Sequence, residues 1–170
     1  MSDPTENAGS RGAAGTGASA NAADAAEAVE APVVRERHGH VELVRLNRER
    51  ARNAIDGPTT RALGAIFDEL TEDPEVWAVV LTGTGDRAFC AGMDLKAFAS
   101  GEAAEIMSSA GGFAGIAARR FPKPLIAAVN GVALAGGFEI VLACDLVVAA
   151  DHALFGIPEV KRGLAAAGGG

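Results

Sequence analysis

Tyrosine is absent from this 170-residue chain, tryptophan occurs once, and aromatics make up only 5% of the residues. A core must therefore be packed from Ala, Val, Leu and Ile; the apolar share of 49% suffices for one domain of this length. Cysteine is scarce too. Cys90 and Cys144 sit in apolar surroundings without metal-ligand spacing, which fits a reducing cytoplasm. No basic stripe of the kind that binds nucleic acid is present. No apolar stretch free of charge and glycine is long enough to cross a bilayer. A basic start followed by an apolar run, the mark of a signal peptide, is also missing, and the acidic residues near the start argue against an organelle transit peptide. The expectation is a soluble cytoplasmic protein that binds neither nucleic acid nor membrane.

The net charge of −7 is unevenly spread. Residues 1–30 carry Asp3, Glu6, Asp24, Glu27 and Glu30 against Arg11 alone, leaving only a small excess of acid for the rest. That opening segment is rich in Ala, Gly, Ser and Asn and has no apolar periodicity, so 1–31 reads as a disordered acidic tail and 32–170 as the folded part.

Within the folded part, HVELVRL (His40 to Leu46) alternates as a strand does. Pro58 and Thr59 open a helix running to about Leu70, with Leu63, Ile66, Phe67 and Leu70 on one face. The run Val76 to Leu81 predicts a strand buried on both sides. A glycine-rich turn, TGTGDRAFCAGMDL, follows. Glu102 to Arg120 is predicted as helix, weakened by Gly111, Gly112 and Gly115. Leu125 to Val129 is a buried strand, Asn130-Gly131 a turn, Gly136-Gly137 the start of a helix to about Cys144, and Asp145 to Ala149 another strand. Alternating strands and helices predict an α/β architecture. Three closing glycines, directly after a segment rich in candidate site residues, suggest a truncated C-terminus.

The chemistry concentrates in two turns and two glutamates. In ALAGGFE, Gly136 falls at a helix N-terminus and Glu139 one turn inside it. The first N–H groups of a helix lack internal partners and carry partial positive charge. The Gly136 N–H is thus suited to stabilise an oxygen that becomes negative during reaction, given a second donor. The turn AFCAGMD offers one in the Met93 N–H, beside a glycine at 92 that lets the backbone approach a ligand. Two such donors form an oxyanion hole for a thioester carbonyl on its way to an enolate. Glu139 and Glu159 can share the proton transfers, one activating water and the other serving the α-carbon. Phe138, Leu134, Phe155, Ile157 and Pro158 are the neighbours expected to shield them from water.

Other readings compete. Gly83-Thr84-Gly85-Asp86-Arg87-Ala88 fits G-x-G-x-x-A after a strand, but that fingerprint needs a helix at once, and the chain continues FCAGMD. No G-x-x-x-x-G-K-[ST] exists. Cys90 has no histidine near it in sequence and reads as a small core residue. His38, His40 and His152 read as surface or structural, Lys161-Arg162 as a solvated pair or an attraction for phosphates. Metal binding by the two glutamates has no supporting ligand pattern. Alone, Glu139 would be a carboxylate favourable to a helix dipole and Glu159 a loop acid.

Taken together, FPKPLIAAVNGVALAGGFEIVLACDLVVAADHALFGIPEVKRGL resembles the signature region of the crotonase, or enoyl-CoA hydratase/isomerase, family. AFCAGMDLKAF resembles that family's earlier oxyanion and CoA-binding turn, and LNRERARNAI its first CoA-contacting loop. The resemblance runs from about residue 33 onward and implies a crotonase-like ββα spiral, incomplete at the C-terminus. It implies Met93 and Gly136 as oxyanion donors, Glu139 activating water and Glu159 protonating the α-carbon. It also implies CoA contacts at Ala51, Met93, Asp94, Leu95, Lys96 and Gly136. The implied reaction is hydration of a trans-2-enoyl-CoA, with isomerase or another acyl-CoA lyase activity, or acyl-CoA binding without turnover, as alternatives. No metal and no cofactor is implied beyond the coenzyme A of the substrate; a homotrimer or hexamer is. The sequence also departs from the family. Met93 stands where many hydratases have Ala, Phe138 where many have a small residue or Cys, and GLAAAGGG lacks the proline and glycine of G-x-x-P-G-x-G-G.

Overall fold

The computed structural model describes residues 30–168 apart from 108 and 109. The tail expected over 1–31 lies, through residue 29, outside the described residues.

A five-stranded sheet forms the base, its strands lying side by side in the order Val33–His38, Val41–Leu46, Ala78–Gly83, Leu125–Val129 and Leu146–Ala149. β1 (Val33–His38) and β2 (Val41–Leu46) make an antiparallel hairpin whose turn needs Gly39 at φ +60°. β1 escapes detection in the sequence because only its first residues are apolar; its pairing with β2 makes it a strand. Charge secures that pairing, since the buried carboxylate of Glu42 lies 3.6 Å from Arg35 and 2.5 Å from Arg37.

From β2 the chain crosses through α1 (Gly57–Glu72) to β3 (Ala78–Gly83), which pairs parallel with β2. Asp56 caps α1, accepting from the Thr59 amide at 2.9 Å, and Pro58 sits in the first turn. Leu63, Phe67 and Leu70 bury the predicted face, with Ile66 half-buried. Each such side chain contributes about 1.5–3 kcal/mol. β3 begins two residues later than the apolar run predicts. Trp77 lies in the preceding turn, its amide bonded to the His40 carbonyl and its ring stacked on His40. The expectation of burial on both sides fails: alternate β3 residues are only half-buried. β5 (Leu125–Val129) and β7 (Leu146–Ala149) complete the sheet, and β7 is exposed throughout.

A second sheet holds three short parallel strands, β4 (Ala88–Cys90), β6 (Val132–Leu134) and β8 (Phe155–Gly156). At two or three residues each they show no readable periodicity. Their arrangement matters more than their size. Parallel strands deliver their C-terminal ends to one side, so the segments that follow them gather at one sheet edge. Those segments are the turn at 91–94, α4 (Gly136–Leu142) and the turn at Pro158-Glu159.

The helix expected over 102–120 is corrected to a fragment. α2 (Leu95–Ala99) and α3 (Ala103–Met107) are single short helices, and a 3-10 turn follows at Phe113–Gly115. Positive φ at Gly112, Ala114 and Gly115 ends any helix there.

Candidate functional site

The segments after β4 and β6 touch. Gly92 has φ +91°, and a Cβ on it would lie 2.9 Å from the Ala135 Cβ and 3.2 Å from the Gly136 nitrogen. Only glycine allows this approach. Gly137 backs onto the Cys90 carbonyl and Gly136 onto the Phe113 ring, each too closely for a side chain. Ala135, at φ +52° and ψ −130°, holds a conformation that L-residues avoid, and its amide donates to the Gly156 carbonyl at 2.9 Å. Among the described residues neither the Met93 nor the Gly136 N–H has an acceptor.

Both residues line a cavity of about 550 Å³, and so do Glu139 and Glu159. Glu139 is 4% exposed, and its Oε1 accepts from the Gly168 amide at 2.8 Å. Glu159 begins a 3-10 turn after Pro158; its Oε2 is buried and, among the described residues, has no hydrogen-bond partner. The structure thus brings together four residues that the sequence scatters over 67 positions, from 93 to 159.

The other predicted contact residues divide. Leu95 lines the cavity; Ala51, Asp94 and Lys96 flank it without lining it. The Asp94 carboxyl serves the backbone, accepting from the Lys96 amide at 2.9 Å and from Arg48 at 3.0 Å. Burial pulls its pKa upward, but the Arg48 and amide hydrogen bonds prevail and hold it below the usual carboxylate value.

The shielding neighbours are also corrected. Leu134 and Pro158 do line the cavity, whereas Phe138, Phe155 and Ile157 do not. Phe138 packs on Phe155, ring centres 5.5 Å apart, in a shallow groove elsewhere. The bulk of Phe138 is therefore spent away from the cavity. Its apolar lining comes instead from Phe98, Met107 and Phe113, and Arg52 adds a cation. Sequence reading missed all four. Phe113 lies in a segment read as helix, and Arg52, at the unusual φ of +55°, lines the cavity from a loop.

Competing chemistries do not fit. After Gly83 the chain enters β4 rather than a helix, and the Asn130 side chain fills the turn, donating to the Gly83 carbonyl at 2.9 Å and the Gly85 carbonyl at 2.7 Å. The dinucleotide fingerprint is therefore not a phosphate loop. Burial pushes the Cys90 thiol up to about 12, unsuited to a nucleophile. Among the described residues no helix is long and apolar enough to cross a membrane.

The family model described as Enoyl-CoA hydratase/isomerase matches residues 36–170. The chain is 46% identical over 135 residues to a carnitinyl-CoA dehydratase of Citrobacter koseri, covering 79% of this chain and 51% of the relative. It is 44% identical over 133 residues to that of Proteus mirabilis, covering 78% and 51%. Among solved structures it resembles an enoyl-CoA hydratase from Mycobacterium marinum, with TM-score 0.77, 48% identity, and coverage of 82% of this chain and 54% of that one. A carnitinyl-CoA hydratase from Mycobacterium avium gives TM-score 0.76, 51% identity and coverage of 82% and 54%. The chain spans about half the length of the curated relatives it matches. It belongs to the enoyl-CoA hydratase/isomerase, or crotonase, family.

Proposed function

We propose that this chain carries the acid–base half-site and oxyanion hole of an enoyl-CoA hydratase, acting on a trans-2-enoyl-CoA or in reverse on a 3-hydroxyacyl-CoA. The thioester oxygen accepts from the Met93 and Gly136 N–H groups. Glu139 takes a proton from water as the water oxygen bonds to C3. The C2–C3 π electrons move toward the thioester, giving an enolate whose oxygen the two amides stabilise. Glu159 then gives its proton to C2. The coenzyme A moiety lies along the 51 and 93–96 segments, and Arg52 adds positive charge at the cavity. No metal and no redox cofactor takes part.

The observation that carries this reading is the buried Oε2 of Glu159, which has no partner among the described residues, on a residue that lines the same cavity as Glu139 and two unused amides. A buried carboxylate oxygen without a partner is costly, and sites that transfer protons retain such groups. The relatives named carnitinyl-CoA dehydratase favour a second reading, the dehydration direction on a 3-hydroxyacyl-CoA with a charged tail. The family resemblance is what supports a homotrimer or hexamer, and the two free cysteines agree with a reducing cytoplasm.

Hydration of crotonyl-CoA, followed as loss of the conjugated thioester absorbance, tests the proposal on the 170-residue chain and on any longer product of the same reading frame. Turnover that survives Glu159→Gln at the native rate overturns the acid–base assignment. A longer product that only shifts the double bond of a 3-enoyl-CoA makes the protein an isomerase. Binding of CoA thioesters without turnover makes it a binding protein.

A further inference from the structure

We propose that Arg48 is a positioning residue that aims the Met93 amide at the thioester oxygen, an inference that rests on the oxyanion-hole reading above. Arg48 follows β2 and touches no residue of the cavity's acid–base pair. Its Nη2 lies 2.9 Å from Asp56 Oδ2 and 3.0 Å from Asp94 Oδ2, and its Nη1 donates to the Ala54 carbonyl at 2.5 Å. All three side chains are at least three-quarters buried, with 24%, 16% and 15% exposure.

The two aspartates divide their oxygens identically. Oδ1 of Asp56 accepts from the Thr59 amide and caps α1; Oδ1 of Asp94 accepts from the Lys96 amide and caps α2. Each leaves Oδ2 for the same guanidinium. A planar fork fits this sharing, which a lysine ammonium does not reproduce.

Ile55 lies between the anchored positions Ala54 and Asp56, and its backbone brackets Met93. The Ile55 amide donates to the Gly92 carbonyl at 2.8 Å, and the Asp94 amide donates to the Ile55 carbonyl at 2.8 Å. The Gly92 carbonyl and the Met93 N–H belong to one peptide group. In a planar trans peptide they point in opposite directions, so fixing the carbonyl on Ile55 turns the N–H away from Ile55. Arg48 clamps the 54–56 segment to the 92–94 segment from both sides of that bond. It also offsets the charge of Asp94, one residue from an amide that must face an enolate; the lowered pKa of Asp94 agrees with that pairing.

The test uses the longest available form of the protein and butyryl-CoA with a heavy-carbon label at its carbonyl, an inert probe. Infrared difference spectra report how strongly the bound carbonyl is polarised. In the unsubstituted protein the stretch is expected to fall on binding. In Arg48→Met it returns toward the free value, and kcat for crotonyl-CoA drops by about tenfold or more with KM changed far less. Arg48→Lys restores only part of both. Asp94→Asn keeps the cap, loses the ion pair and shows the same spectral loss, so it carries the test if Arg48→Met does not fold. Folded variants that keep the full carbonyl shift and kcat overturn the proposal. A missing shift in the unsubstituted protein overturns the oxyanion hole itself, and this inference with it, before any variant is made.

Discussion

The Glu139 carboxylate accepts a 2.8 Å hydrogen bond from the amide of Gly168, 29 residues further along the chain. Gly168 is buried, and a Cβ there would overlap Glu139 Oε2 and meet the Phe113 Cβ at 3.0 Å. Residues 164–168 thus do more than cover the cavity, since one of their amides orients the group proposed to activate water.

Gly168→Ala should therefore displace that carboxylate while leaving the core intact. A shift of about 1 Å at a reacting group costs on the order of 10²-fold in rate. The expected result is a kcat loss of that order with a thermal midpoint close to the parent value. Steady-state kinetics beside a melting curve decides it, and an unchanged kcat would mean that Glu139 is oriented by other contacts.

Glu159→Gln should separate stability from turnover. Among the described residues the buried Oε2 has no partner, and the amide of a glutamine in the same place gains none, so the exchange removes the acid without removing a hydrogen bond. Stability should hold within about 1 kcal/mol, while hydration slows by about 10²–10⁴-fold. Denaturant titration and the crotonyl-CoA assay read the two arms. A clear loss of stability would show that the oxygen has a structural partner after all.

Much of the base sheet and nearly all of the proposed chemistry were legible in the sequence, for different reasons. β5 and α1 announce themselves by apolar runs and spacing, which is what burial of one or both faces imposes. Met93, Gly136, Glu139 and Glu159 stood out as glycine-flanked turns and a carboxylate pair. What stayed hidden depends on tertiary contact. β4, β6 and β8 are too short for periodicity and exist because they pair with one another. Phe138 looked like a cavity residue because it adjoins Glu139. In a helix, neighbours point about 100° apart, so Phe138 faces the β8 side and Glu139 the cavity. Arg48 carries no signal in the sequence, because the capping aspartates that meet on it lie 8 and 46 positions further along the chain.

His152 provides a pH test remote from the cavity. Its Nε2 lies 3.1 Å from the Asp86 carbonyl and its Nδ1 3.2 Å from Asp151 Oδ1. Only the imidazolium donates from both nitrogens, so its pKa is raised, first by the Asp86 carbonyl and then by Asp151. A raised folded value means that the stabilisation is full below the unfolded value, ~6.5, and is lost as pH rises through the folded midpoint. Ring-proton NMR should show a midpoint above the ordinary histidine value. Asp151→Asn should lower it only in part, because the Asp86 carbonyl remains; a native midpoint at or below the ordinary value would contradict the geometry.

Ala135 stands at the junction of β6 and α4 with φ +52° and ψ −130°, a region that glycine enters freely and alanine does not. The fold enforces it from three sides. The Ala135 amide donates to Gly156, its carbonyl accepts from the Phe138 and Glu139 amides, and its Cβ faces Gly92. Such a conformation costs about 1–3 kcal/mol, whereas a glycine there adds only about 0.4–1 kcal/mol of unfolded-state entropy. The strain is the larger quantity. Ala135→Gly should therefore raise stability by about 1 kcal/mol, against the usual direction of alanine-to-glycine changes. Because the same backbone path aims the Gly136 amide, turnover should survive as long as β8 still pins residue 135. Thermal melts and the hydration assay together discriminate: a destabilised variant would show that the Ala135 methyl packs more favourably than its backbone is strained.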